Sequence, residues 1–480
     1  MSEKTREQII HEAAMKVMEE AGVAIHNEKA LQILADNGIR TEGSVAFFTE
    51  EQVMEWVGKA PETFTLYARN PKHDVIMGGG VTNAAPSYGC AFVDDWDGNR
   101  RSGTIEDSIR AIKLVQAEDN YDINGGIIVQ PGDVPQDYAS IAMLYADLMC
   151  SDKVILLPTG YKEEMEVMLA GLAEFFGGKE EFSAKPRCIS LINTVSPLSL
   201  DDRMLDNLML LAEYGQAAIL CPAAMLGGTG SITMAGTIVS GIAESLAGIC
   251  LAQMINPGTP VVLGIQSTAA DLRGGVSFAC AAPEGTMMQG FSAAMGKFYH
   301  IPSRGGGCQT DASHINAQAG YESMLTFFSA QKHGINIVME AGGVMDSVNA
   351  TSFEKMIVDF EIIRQVKFVF TPFEVDEEAL NVEEIIELGQ TGDFVTSDST
   401  LDNFGILYNP HIGSRTSKDP EDFRNSIYKE MQRLFDAYNT ARPEIDDAAK
   451  AALRATLGST GLGAEWFDKM EELAVREETV

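Results

Sequence analysis

Eight times between Tyr88 and about Phe370 the chain passes from a short run of β-type residues into a stretch with helical periodicity. That alternation is the strongest constraint on what it can fold into. The runs are Tyr88–Asp94, Asn124–Val129, Val154–Leu157, Cys188–Asn193, Ala218–Cys221, Val261–Gln266, Pro302–Gly307 and Ile335–Glu340. The helical stretches begin near Thr104, Pro135, Tyr161, Asp201, Ile232, Gly285, Ile315 and Ser352. The runs are almost continuously apolar, as parallel strands covered by helices must be. Thr104, Asp201 and Ser352, each with acidic residues just behind it, read as N-caps. Eight strands, each followed by a helix, is the number that closes a (β/α)8 barrel. The rival is a doubly wound open sheet, which would normally carry a phosphate-binding glycine fingerprint after its first strand, and none appears there.

The expected organisation is an α/β chain in three parts. Residues 1–80 form an N-terminal helical cap with short strands, 81–372 the (β/α)8 barrel, and 373–480 an acidic helical C-terminal extension packed on it. Residues 1–60 read as helices, with Thr49 capping TEEQVMEWVGKA, and residues 64–80 read as short strands ending in glycines. Residues 371–400 hold nine Asp or Glu and no Lys or Arg, a pattern that reads as a solvated face. With 480 residues, 45% of them hydrophobic, the chain can bury a large core.

The formal net charge of −34 argues against nucleic acid and against an anionic membrane surface. The most apolar stretch, Ile232 to Ile255, contains Ser240, Glu244, Ser245 and Gln253 and reads as a buried helix. No secretory pattern is visible, and seven scattered Cys without a CxxC suggest reduced thiols in a cytoplasm.

In a (β/α)8 barrel, chemistry sits where the strands run into the loops that follow them. The loop after the seventh run, SRGGGCQTDASH, combines three glycines with Cys308, Gln309, Thr310, Asp311 and His314. The glycines are expected to allow positive φ and close approach to a ligand; a tight corner with a capped helix is the plainer alternative. After the fifth run, PAAMLGGTGSITMAG places Gly228, Thr229 and Ser231 before a helix whose free N–H groups suit an anion. Glu340 ends the eighth run and needs a partner, either a structural cation or a cationic substrate. The His residues form no HxxxH and pair with no Cys at ligand spacing, so no metal site is expected.

Several blocks in order are similar to the trimethylamine methyltransferase (MttB) superfamily. They are Ser196-Pro197-Leu198, AAMLGGTGSITMAGTIVSGIAESLAGICLAQ, STAADLRGG with Pro283-Glu284, TDASHINAQAGYE and SFEKMIVDFEIIRQV. The resemblance implies a barrel that passes a methyl group from an amine to cob(I)alamin on a separate corrinoid-binding protein. The amine-specific founding members carry pyrrolysine in the loop after strand seven. Aligned on the following Thr-Asp, that position is Gln309 here, which shifts the expectation from trimethylamine to a quaternary amine: glycine betaine, proline betaine, carnitine or γ-butyrobetaine. On this reading Gln309, Asp311 and Glu340 are the catalytic candidates. Tyr88, Phe92, Trp96 and Phe353 would offer aromatic faces to the cation. Arg304, His314 and the segment with Gly228, Thr229 and Ser231 would take a substrate carboxylate. The alternatives are a zinc-dependent corrinoid methyltransferase and a non-catalytic betaine-binding protein. A homo-oligomer is compatible with the sequence.

Overall fold

The computed structural model describes residues 4–273, 277–419 and 421–480. Its core is built on eight short parallel strands: β1 Asn83–Ala84, β2 Ile123–Gly125, β3 Val154–Leu157, β4 Cys188–Asn193, β5 Ala217–Cys221, β6 Val261–Leu263, β7 Arg304–Gly306 and β8 Ile337–Met339. β2 to β6 pair in chain order, with Ile123 opposite Val154, Ile155 opposite Cys188, Ile189 opposite Ala217 and Ala218 opposite Val261. β7, β8 and β1 form a second parallel group, with Ile337 opposite both Arg304 and Asn83. Isolated parallel bridges, Leu263 to Ser303 and Ala84 to Tyr121, connect the edges of the two groups.

The helices that follow are α1 Ile105–Ala117, α2 Ala139–Cys150, α3 Lys162–Phe175, α4 Asp202–Glu213, α5 Met234–Ile255, α6 Pro283–Tyr299, α7 Ala317–His333 and α8 Phe353–Val369. The fold is mixed α/β. Thr104, Asp201 and Ser352 cap α1, α4 and α8 as their sequence positions require, each accepting from a backbone N–H three residues on.

Side chains alternate across each strand. Val154, Leu156, Ile189, Leu191, Ala217, Ile219, Val262, Ile337 and Met339 gather in one apolar cluster, into which Leu66, Val75 and Met77 of the hairpin Phe64–Leu66/Val75–Met77 also pack. The intervening Ile155, Leu157, Ile192, Ala218, Leu220, Val261 and Leu263 belong to a larger cluster shared with the helices. Each fully buried Leu, Ile or Val contributes about 1.5–3 kcal/mol. α5, apolar enough to cross a membrane by length and composition, is mostly buried, with the helices Arg6–Glu20, Glu28–Asp36 and Glu50–Val57 against it.

Two expectations are corrected. The first parallel strand is Asn83–Ala84, not Tyr88–Asp94; Phe92–Asp94 instead pairs antiparallel with Arg100–Ser102 and parallel with Ala350–Thr351. The segment around Asn83 carries no apolar run, because side-chain amides hold it: Asn83 donates to the Asn336 carbonyl (2.9 Å) and Asn336 to that of Val81 (3.1 Å). Residues 1–60 are not helical throughout, since Val23–Ile25, Arg40–Glu42 and Val45–Phe47 form a small sheet with Ser199–Leu200.

After α8 come α9 Glu421–Thr440, α10 Asp447–Gly458 and α11 Ala464–Val475. α9 packs on α1 and α8, α10 on α3, and α11 on α1 and α2. Lys113, fully buried on α1, ties down the end of the chain through the carbonyls of Leu473 and Arg476 and the Glu478 carboxylate (2.7, 2.8 and 3.1 Å).

One buried ion pair links α8 to the loops after β7 and β8. The Lys355 ammonium donates to both Asp359 oxygens (2.6 Å) and to the Cys308 carbonyl (3.1 Å), and Asp359 accepts from the Gly343 amide (2.8 Å). Neither side chain reaches solvent. Removing one partner strands a buried charge, so Lys355→Met is expected to cost about 3–5 kcal/mol in urea denaturation. Lys355→Met with Asp359→Leu is expected to cost less than the two single changes summed.

Candidate active site

Where β5 to β8 run out, a polar network interrupts the apolar interior. Arg304, the first residue of β7, is 1% exposed, and its guanidinium donates to Glu340 just beyond β8 and to the Gln266 amide oxygen beyond β6. It also lies 3.6 Å from Cys221 Sγ at the end of β5. Gln266 in turn donates its amide to Gln309 Oε1 (3.2 Å). Four strand ends are thus joined through one fixed guanidinium fork, the geometry for which Arg is suited.

The backbone supports this arrangement. Glu340 and Cys308 both sit at positive φ (55° and 51°), which is costly for residues with a side chain. Glu340 N donates to the Pro86 carbonyl (3.1 Å), and Gln309 N to Thr326 Oγ1 (3.2 Å). The three glycines before Cys308 are needed for space and not, as expected, for positive φ. A Cβ on Gly306 would fall 2.5 Å from Gln309 Oε1, and one on Gly307 would fall 2.4 Å from Val338.

Three polar atoms of the network, Arg304 Nε, Glu340 Oε2 and Gln309 Nε2, are buried without a protein partner. Each buried polar atom left unpaired costs about 1–3 kcal/mol. Burial raises the Glu340 carboxyl above its ordinary range, while Arg304 pulls it back down. Burial likewise pushes the Cys221 thiol up to about 11, against the pull of Arg304. Tyr88 stands in the inner apolar cluster with its hydroxyl accepting from Thr159 N (3.3 Å), and burial raises its phenol.

Of the residues singled out in the sequence, the structure brings Arg304, Gln309 and Glu340 together, with Tyr88 packed near them. Asp311 plays a different part: it accepts from Cys280 N (2.8 Å), Ala281 N (3.3 Å) and Ser347 Oγ (2.7 Å), bracing the loops after β6 and β8. Both of its oxygens are taken up by these hydrogen bonds. Phe353 opens α8 and lies under Arg110 (5.3 Å) in the helical layer, away from the strand ends. Phe92 is exposed beneath Arg100 (5.5 Å), and Trp96 lies beneath Arg424 (5.6 Å). His314 is exposed, bonded to Ser313 (3.0 Å), and leans on the turn at Gly98.

Gly228 is exposed, Thr229 is used in closing its own turn through Met225 N (3.0 Å), and Ser231 accepts from Thr233 N (3.2 Å). Thr233, not an external anion, caps α5. Gly274 and Gly275 of the STAADLRGG block lie outside the described residues.

Gln266, the polar residue that closes the apolar run VVLGIQ, stands at a strand end where the sequence places function, but the sequence assigns it no role. Two of the sequence blocks meet physically. Glu244 of GIAESLAG is buried on α5 and accepts from Thr194, from Ser196 Oγ (2.8 Å) and from Leu198 N (2.8 Å), holding the loop after β4. Among the described residues no three His, Cys, Asp or Glu side chains are grouped to hold a metal ion.

Residues 1–457 match the family described as trimethylamine methyltransferase (MTTB). The chain belongs to that family. It is 36% identical over 460 residues to the glycine betaine methyltransferase of Desulfitobacterium hafniense strain Y51, covering 95% of both chains. It is 28% identical over 372 residues to the proline betaine:corrinoid methyltransferase of Eubacterium limosum (74% and 75% covered). With a trimethylamine methyltransferase MttB of Desulfitobacterium hafniense strain DSM 10664 / DCB-2 it shares 26% over 466 residues (94% and 92%). The Methanosarcina barkeri monomethylamine methyltransferase (MtmB) has a similar fold, with a TM-score of 0.51 at 11% identity over 91% of this chain and 88% of that one. As an MTTB-family member, the chain is a methyltransferase.

In this family member the Arg304–Glu340 pair sets the charge balance of the site. Arg304→Met is expected to leave Glu340 buried and unpaired, at a cost of about 3–5 kcal/mol. The remaining carboxyl then titrates with a raised folded-state pKa. Its stabilising share is present below the unfolded carboxylate pKa and is lost as pH rises through the folded one. The deficit against wild type, measured by urea denaturation, is therefore expected to be larger at pH 8 than at pH 5.

Proposed function

We propose that this protein transfers a methyl group from a carboxylated quaternary amine to cob(I)alamin carried by a separate corrinoid protein, releasing the tertiary amine. In this reading the eight parallel strands close a (β/α)8 barrel, with residues 1–80 and the C-terminal helices α9 to α11 packed around it. The two isolated bridges, the inward cluster and the order of strand pairing support that closure. Cytoplasmic action fits seven free, buried cysteines.

The observation that carries the substrate class is the pair of unsatisfied atoms, Glu340 Oε2 and Gln309 Nε2. A betaine is a zwitterion and complements both. Its ammonium, which has no hydrogen to donate, gains Coulombic energy beside the carboxylate, and its carboxylate accepts from the Gln309 amide. A simple methylamine has no group for the Gln309 donor. Tyr88 adds an apolar wall near the cation, and Arg304 orients Glu340 and favours its charged form against the burial that disfavours it.

The chemistry asks little more of the protein. Nitrogen already carries the positive charge, so when the C–N bond breaks its electron pair stays on nitrogen and a neutral tertiary amine leaves without a proton. The protein's own residues orient the amine and exclude water. Cob(I)alamin supplies the strong nucleophile that accepts the methyl carbon. The rim around the strand ends fits a large, flat acceptor: Val195, Ile232, Leu272 and Met287 stand exposed on the loops after β4, β5 and β6 and on the first turns of α6.

The test is anaerobic incubation with free cob(I)alamin and saturating glycine betaine, proline betaine, carnitine, γ-butyrobetaine or trimethylamine, following the cobalamin absorbance. At least one betaine is expected to turn over with loss of one methyl, and trimethylamine at most in traces. Robust turnover of trimethylamine with every betaine inert would overturn the proposal. Gln309→Ala is expected to raise KM for the active betaine by roughly tenfold or more, the worth of a hydrogen bond to a charged group.

A further inference from the structure

The chain leaves α8 into a segment that nothing in one copy covers. No described side chain from Thr371 to Leu407 is buried. Together with Phe368, Val369 and Phe370 at the end of α8, the stretch exposes fifteen large apolar side chains, among them Phe373 (86%), Ile386 (74%), Val395 (75%), Phe404 (70%) and Leu407 (69%). Its helices, Glu377–Leu380, Val382–Leu388 and Asp398–Asn403, are four to seven residues long. Helices that short do not persist in water without tertiary packing.

We propose that this segment is a dimerisation arm, covered by a second copy of this chain. Three observations point to a second copy. The first is amount. At on the order of 100 Å2 exposed per side chain, fifteen of them exceed the roughly 800 Å2 that a stable interface buries on each partner. They also exceed the largest apolar patch of a typical monomer, about 300–600 Å2. A surface this apolar belongs to a permanent assembly, not to a partner that must come and go.

The second is place. Lys367, two residues before α8 ends, donates to the Asn120 carbonyl (2.9 Å), which lies on the N-terminal side of β2. The arm thus starts at the edge opposite Glu340 and Gln309, out of the path of anything approaching the strand ends.

The third is charge. The arm carries nine carboxylates and no cation between residues 371 and 400. Beside its return lies a cleft of about 380 Å3 whose lining includes Phe368, Val369, Tyr408 and Arg415. It adjoins a second hollow lined by Lys429 and by Asp422, whose carboxylate accepts from Ser417. Arg415 donates only to the Tyr408 carbonyl (3.2 Å), and among the described residues neither Arg415 nor Lys429 faces a carboxylate in an ion pair. Arm and cleft are complementary and adjacent, the arrangement that lets two copies exchange arms about a two-fold axis.

Sedimentation velocity on the full chain at micromolar concentration is expected to give a dimer or a higher even-numbered oligomer. Ile386→Asp with Phe404→Asp is expected to give a monomer with unchanged far-UV circular dichroism. Arg415→Glu with Lys429→Glu is expected to weaken association at least tenfold. Should the arm variant misfold, wild-type protein from 14N- and 15N-labelled batches, unfolded in urea, refolded together and treated with a carbodiimide, decides the matter. Mixed-isotope cross-links between Glu383, Glu384 or Glu387 and Lys429 support the proposal, and cross-links confined to one isotope overturn it. A monomeric wild type, an oligomer indifferent to these substitutions, or a monomer whose arm is covered only by the corrinoid protein would overturn it as well.

Discussion

Parallel pairing of very short strands is the constraint from which the rest of this structure follows. A strand of two to six residues binds its neighbours through few hydrogen bonds, so each is held mainly by what its two faces bury. In β2 to β6 and in β8 one face turns toward the cluster that Leu66, Val75 and Met77 complete, and the other toward the surrounding helices. Once both faces are committed to apolar packing, polar chemistry is confined to the strand ends. Arg304, Gln266, Gln309 and Glu340 lie there, each at or within three residues of a strand terminus.

That location explains why the site is rigid. Arg304 is held by two partners from different strand ends, and Glu340 and Cys308 are kept at positive φ by surrounding packing that over-determines their backbone. A charged pair in such a place adds little net stability, because desolvation offsets the attraction. Its consequence is orientation of the groups: one Glu340 oxygen is occupied by Arg304 and the other has no protein partner, and Gln266 holds the Gln309 amide oxygen while its nitrogen has none. Asp311 is bonded differently. Its oxygens are spent on joining two loops, so its contribution is to the shape of the site.

Loops at the strand ends are braced from behind as well. Lys355 and Asp359 pin the loops after β7 and β8 from within α8, and Glu244 does the same for the loop after β4 from within α5. These buried charges lie outside the network around Arg304, and each satisfies backbone groups that would otherwise be lost on burial. The opposite edge is different in kind. There the chain exposes an apolar, acidic arm, the surface that the proposed dimer would cover.

Much of this was legible in the sequence because it is encoded locally. Periodicity, N-caps and apolar runs marked seven of the eight strands and the starts of the helices, and position at a strand end marked Gln309 and Glu340. The first strand escaped because side-chain amides hold Asn83, not an apolar run; Gln266 was marked by its place at a strand end, but its role was not, because a single polar residue after a strand has no pattern of its own. Phe353, Phe92 and Trp96 share composition with pocket residues, but the side to which a helix or hairpin turns them depends on contacts with Arg110, Arg100 and Arg424, distant in sequence or across a turn. Local patterns therefore determined which segments become strand or helix. Which side chains meet was decided only by tertiary structure, since that depends on partners that one stretch of sequence does not contain.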